Sequence, residues 1–163
     1  MSRGAVMDDI WDVSTKFLAN RMKTKGQLEI HLQNKGYDKT EIVDVLGRCE
    51  EFGYLDDAEY AAVYFSHRIP KGYAFQRIAL ELSQRGVSQN DIQAGLERFV
   101  DEKGYDPFED ELKRGRDEAQ KILRGMPHDK KTLAKAGRKL VSLGYQPETI
   151  YTIIGEYMRG KNQ

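Results

Sequence analysis

The sequence is poor in the residue types that most reaction chemistry needs. It has one cysteine, Cys49. That excludes an internal disulfide framework and suits a reducing, cytoplasmic setting. It has three histidines, His31, His67 and His128, none near Cys49 and none at a metal-ligand spacing. Ser66 and His67 are neighbours, but successive helical residues point apart, which argues against a catalytic dyad. Neither G-x-x-x-x-G-K-[ST] nor a strand-borne G-x-G-x-x-G occurs, so nucleotide hydrolysis is not expected. No apolar run nears the roughly 20 residues of a membrane helix, and the start of the chain lacks the apolar stretch of a signal peptide. No alternating strand pattern of useful length is present. The expectation is a non-enzyme with no cofactor, no metal and no membrane contact.

Net charge is also missing: 26 basic and 26 acidic side chains cancel over 163 residues. The balance is uneven along the chain, however. Residues 1–66 carry 8 basic and 12 acidic groups, and residues 126–163 carry 7 and 3. Such polarity can orient a protein on a charged partner.

What is abundant is glycine in a repeated setting. Leu32, Leu82 and Leu140 each precede a glycine by four residues (Gly36, Gly86, Gly144). Tyr37, Val87 and Tyr145 follow. Six residues after each glycine an isoleucine opens an i, i+3, i+4, i+7 series: Ile42, Val45, Leu46, Cys49; Ile92, Gly95, Leu96, Phe99; Ile150, Ile153, Ile154, Tyr157. A second glycine (Gly53, Gly104, Gly160) closes each. The first glycine reads as a helix C′ position, where positive φ carries no Cβ penalty. Asp38 with Glu41, and Ser88 with Asp91, have capping-box spacing. Pro147 suits a first helical turn. An earlier stripe, Ile10, Val13, Ser14, Phe17 and Leu18, opens the first copy, and Trp11 reads as an anchor of its core. The prediction is an all-α fold of nine helices in three tandem three-helix repeats, over 8–55, 56–105 and 106–160. Residues 1–7 read as a flexible start.

Within "GYLDDAEY" the adjacent aspartates could be a metal or acid–base pair. Metal sites need oxygens converging on one point, whereas adjacent helix-start residues diverge. Asp56 as N-cap with Glu59 at N3 is a capping box, and Leu55 with Tyr60 a hydrophobic staple. Asp106-Pro107-Phe108-Glu109 repeats the device after Gly104-Tyr105. Structure is therefore the expected role of Asp56, Glu59 and Asp106.

Two basic segments remain. Arg68, Lys71, Arg77 and Arg85 surround a bend at Pro70 and Gly72 that also carries Tyr64, Tyr73 and Phe75. Cations beside aromatics suit phosphates, stacked bases or an acidic protein groove, while the aromatics by themselves favour a core. Lys131, Lys135, Arg138 and Lys139 fall at i, i+4, i+7, i+8, with Leu133, Ala136, Leu140 and Val141 on another face. No acid occurs between Asp129 and Glu148. A helix face of one sign repels itself, so it is either a solvated surface or one kept for an anionic partner.

The stretch from Gly53 to Gly86 resembles the central signature of the RecX regulatory family. The matching residues are Gly53 to Asp57, Tyr60-Ala61, Tyr64, Arg68, Lys71-Gly72, Arg77-Ile78, Glu81-Leu82 and Gly86. Arg21, Thr24, Leu28, Leu32 and Lys35-Gly36 match the layout upstream. The segment Tyr73-Ala74-Phe75 departs from the signature, where a smaller or more basic link is expected. The resemblance covers about 8–158. It implies a curved, elongated array of three-helix repeats acting as a monomer in homologous recombination, DNA repair and the SOS response. It implies binding in the groove of the RecA–DNA filament, with suppression of ATPase, strand-exchange and co-protease activities. The eight cations named above are then the expected contacts with filament or DNA. The alternative is a module that binds single- or double-stranded DNA directly.

Overall fold

The computed structural model describes residues 7–160 and, among them, is entirely helical. The elements are α1 (Ile10–Ala19), α2 (Lys25–Asn34), α3 (Lys39–Glu51), α4 (Asp57–Arg68), a 3₁₀ turn (Ile69–Lys71), α5 (Phe75–Gln84), α6 (Gln89–Lys103), α7 (Glu111–Leu123), α8 (Lys130–Leu143) and α9 (Pro147–Met158). No described helix is long and apolar enough to cross a membrane. Of the expected flexible start, residues 1–6 lie outside the described residues, while Met7 packs on the first core.

The repeated glycines explain the helix ends. All six have positive φ, between 74° and 95°. After α2, α5 and α8 the same closure recurs. The amides of Tyr37, Val87 and Tyr145 return to the carbonyls of Leu32, Leu82 and Leu140 at 3.2, 3.0 and 3.2 Å. The leucines are fully buried and the residues after the glycines nearly so. This is a Schellman closure with its hydrophobic contact, used three times. The first two isoleucine series are buried throughout. In the third, Ile153 and Tyr157 are buried, and Ile150 and Ile154 are half-exposed.

Contacts divide the chain into two compact units, and the divisions fall inside α4, α5 and α6. One unit runs to Val63 and takes Leu82–Arg98. In it α1, α2 and α3 pack mutually around Leu28, Leu32, Tyr37, Ile42, Val45, Leu46, Cys49 and Leu55. Trp11 borders this core rather than filling it: it packs edge-on to Phe52, with the Arg48 guanidinium 4.3 Å from its ring. The start of α2 rests on the turn after α5. A Cβ on Gly26 would lie 2.9 Å from the Gly86 Cα, so both positions need glycine.

The other unit takes Tyr64–Glu81 and the described chain from Phe99 onward. Helices α7, α8 and α9 pack mutually around Ala119, Leu123, Leu133, Ala136, Leu140, Leu143, Ile153 and Tyr157. Gly115 lets α9 approach α7, since a Cβ there would meet Ile153 Cδ1 at 2.7 Å. A bidentate pair, Arg116 to Glu156 at 3.0 and 2.6 Å, ties the same two helices.

Two expectations need correction. Asp106 does not cap α7. Its carboxylate accepts from the Phe108 amide at 2.9 Å in a separate turn, and Asp110 caps α7 through the Lys113 amide. Pro107 is compatible with either geometry, and the carboxylate nearer the apolar stripe wins. Val141 is exposed, and Leu143 takes the inward position expected of it. At 100° per residue, Leu143 lies closer than Val141 to the buried face defined by Leu133, Ala136 and Leu140.

Candidate interaction surface

The paired aspartates are both helix-start acceptors. Asp56 accepts from the Glu59 amide at 3.0 Å and caps α4. The Glu59 carboxylate lies 3.6 Å from Arg98, which also holds Asp56 at 3.0 Å. Burial would raise the Asp56 pKa, but the Glu59 amide and Arg98 outweigh it and hold the group low. Asp57, only 9% exposed, accepts from the Lys25 amide at 2.9 Å, an orphan donor in the first turn of α2. Thr24 caps the same helix in a full capping box, and its hydroxyl donates to the Arg85 carbonyl. Burial pushes the Asp57 carboxyl up, and the Lys25 amide partly offsets this. Neither carboxylate is aimed at a shared point. Among the described residues no three His, Cys, Asp or Glu side chains gather to hold a metal.

Of the first cation segment, Arg68 and Arg77 converge on one carboxylate. Glu81, 12% exposed, receives Arg68 Nε at 3.0 Å, Arg77 Nε at 2.8 Å and the Tyr64 hydroxyl at 2.6 Å. Burial opposes its ionisation, but the Tyr64 hydroxyl and the two guanidiniums outweigh it and hold the pKa low. Tyr73 lies under both arginines, 4.8 Å from Arg68 and 5.8 Å from Arg77. The bend itself is clamped. Arg114 donates to the carbonyls of Ile69 and Tyr73, Glu111 accepts from the Phe75 amide, and the Tyr145 hydroxyl donates to the Gly72 carbonyl. Burial raises the Tyr145 hydroxyl to about 12. Phe75 packs with Phe65 and Phe108, so it belongs to the core. Lys71 is exposed on the turn.

The second cation segment lies on α8. Lys131, Lys135, Arg138 and Lys139 are all exposed, and Leu133, Ala136, Leu140 and Leu143 are buried. At 100° per residue Ser142 continues the Lys131–Lys135–Arg138 row. Arg77 Nη1 donates to the Ser142 carbonyl at 3.1 Å. Two segments more than 50 residues apart in sequence therefore meet, and Arg77 extends the cationic row past the end of α8. The meeting is a consequence of capping. The last carbonyls of α8 have no intrahelical donor. Leu140 receives Tyr145, Leu143 receives the Ala74 amide, and Ser142 receives Arg77, whose charge also suits the negative end of the helix dipole. Arg85 is not part of this row. It belongs to the first unit, where it donates to the Tyr60 hydroxyl at 2.7 Å.

Sequence reasoning missed Glu81 as the common partner, and Arg114 as the clamp. The signal available was a lone acid four residues after Arg77 on α5, an i, i+4 pair.

Comparison with known proteins places the chain in a family. A family model described as the second three-helix domain of RecX matches residues 56–96. A regulatory protein RecX from Ectopseudomonas mendocina is 33% identical over 144 residues, covering 88% of each chain. The chain is a member of the RecX family. A second RecX, from Pseudomonas fluorescens Pf-5, is 32% identical over 92% of this chain and 94% of its own. A third, from Halorhodospira halophila, is 35% identical over 58% of each chain. The crystal structure of RecX from Lactobacillus salivarius superposes with a TM-score of 0.70 at 20% identity, over 92% of this chain and 95% of that one. That likeness establishes the RecX fold.

Proposed function

We propose that this RecX-family chain is a non-catalytic, cytoplasmic regulator that binds the RecA–DNA filament as a monomer and lowers its ATPase, recombinase and co-protease activities. The helices are read as three successive modules, 8–55, 56–105 and 106–160, that present the binding residues. One observation carries the reading: an exposed cationic face on α8, prolonged by Arg77, with no acid between Asp129 and Glu148. Such a face suits the phosphates of filament DNA or acidic protein surface. A regulator that binds one filament state more tightly shifts the filament toward it. Lys131, Lys135, Arg138 and Lys139 are the proposed primary contacts, with Lys71, Arg68 and Arg77 beside them and Arg85 on the other unit. Arg68 and Arg77 share Glu81, so each offers less net charge than the α8 lysines.

The test is co-sedimentation with RecA filaments on single-stranded DNA, with and without nucleotide. Reversing all four α8 cations to glutamate is expected to abolish co-sedimentation while the circular dichroism spectrum stays unchanged. Wild-type binding by the reversed variant would refute the assignment.

The same exposed cations support a second reading, direct binding to bare DNA. In that case affinity falls steeply with salt, by roughly one decade per decade of salt for each phosphate contacted. A flat salt response would exclude it.

A further inference from the structure

Beside the cationic row, α8 and α9 carry an apolar channel that the filament reading does not use. On α8, Ala134, Gly137 and Val141 lie next to the Lys131–Lys135–Arg138 row and away from the core. They face Ile150, Tyr151, Ile154 and Met158 of α9 across two adjoining hollows of about 530 and 560 Å³ that share Ile150 and Tyr151. Tyr151 is 84% exposed, Met158 74%, Val141 64% and Leu80, at one end, 54%. A run of large apolar side chains this exposed is uncommon on a surface that must stay soluble alone.

Gly137 is a second, independent sign. It lies in the middle of α8, where glycine is the least favourable residue after proline. Packing does not demand it. A Cβ there would sit 3.9 Å from Ile154 and 4.0 Å from Ile150, in ordinary contact, and its φ is not in the left-handed region. What the missing side chain leaves is the floor of the channel. Positive charge stands at both ends, where Arg77 lines one and Arg159 the other. At 100° per residue the exposed Lys131, Lys135 and Arg138 form the neighbouring row of α8, outside the lining itself, and Glu148 and Thr152 the neighbouring row of α9.

We infer that this channel is a docking groove for an acidic amphipathic helix of a partner protein. The channel follows α8, whose 14 residues span about 21 Å. That length accommodates about four helical turns, whose apolar residues at i, i+3, i+4 and i+7 would enter the groove while carboxylates meet the α8 row. The lining is mostly aliphatic, with Tyr151 its one exposed aromatic, which favours a protein segment over stacked bases, since those would call for a row of aromatics. The inference shares Lys131, Lys135 and Arg138 with the filament reading but rests on the apolar lining, and a peptide assay without RecA or DNA tests it separately from filament binding.

The probe is a fluorescein-labelled peptide of about 14 residues, leucine at the anchor positions and glutamate elsewhere. Its anisotropy is followed against the whole protein. Controls are the same peptide with lysine for glutamate, and an oligothymidylate of similar length. The acidic peptide should bind, and the lysine peptide should bind about tenfold or more weakly. Gly137→Phe, which plugs the floor, and Tyr151→Ala should each weaken the acidic peptide about tenfold without lowering the melting temperature. Val43→Ala, on the exposed side of α3, should not change it. The inference is overturned by any of three results: no binding of the acidic peptide, equal binding of both peptides, or groove variants that bind as the wild type does. Oligothymidylate binding lost in the Gly137→Phe variant would also overturn it, and would make the groove a nucleic-acid surface.

Discussion

At the residue scale, single charges and glycines are constrained by packing in ways that local sequence does not show. Glu81 is the clearest case. A carboxylate 12% exposed that holds two guanidiniums and a tyrosine hydroxyl cannot be lost quietly. Glu81→Gln leaves half-buried cations without a counter-charge and should cost about 1–3 kcal/mol at neutral pH. The pH dependence has a definite sign. The folded pKa lies below the ordinary 4.5, so the stabilisation is complete above 4.5 and is lost as pH falls through the lowered value. Denaturant melts of wild type and Glu81→Gln should therefore converge as the pH drops below that lowered value, and a gap that persists there would contradict the account. Gly86 makes a second case. It has φ of 89° and its Cα faces Gly26. Gly86→Ala combines backbone strain with overpacking and should cost at least about 1–2 kcal/mol, measurable by urea unfolding. Asp57 shows what a sequence conceals. Its spacing to its own helix was plain, but its bond to the Lys25 amide is a tertiary fact that no local pattern encodes.

At the element scale, the helices and their ends were largely legible, because the signals are local. A glycine at C′, a leucine four residues before it and a capping box after it specify a helix–turn–helix without help from the rest of the chain. The start of α7 was misread because two candidate caps, Asp106 and Asp110, stand four residues apart and only packing chooses between them. The face of α8 could be drawn from sequence, but not its continuation through Arg77, which depends on how the C-terminal carbonyls of α8 are satisfied. This helix also carries a built-in cost. Lys130 and Lys131 occupy its first turn, at the positive end of the dipole, where acids are favoured. Lys131→Glu should raise the melting temperature and weaken filament binding together. If both fell, the residue would be structural; if binding held, it would be a solvated charge.

At the scale of the whole molecule, family membership rests on alignments over nearly the full chain, and the helical fold agrees with solved RecX structures. The functional account then reduces to one surface. The α8 cations, with Arg77 at their end, are proposed to engage the RecA–DNA filament without taking part in any reaction. The direct measurement is RecA's DNA-dependent ATP hydrolysis on single-stranded DNA, titrated with wild-type protein and with the variant in which Lys131, Lys135, Arg138 and Lys139 are all replaced by glutamate. The account predicts that the wild type suppresses hydrolysis in proportion to the protein added and that the variant, folded and equally helical, leaves it untouched. Equal suppression by both proteins would contradict it.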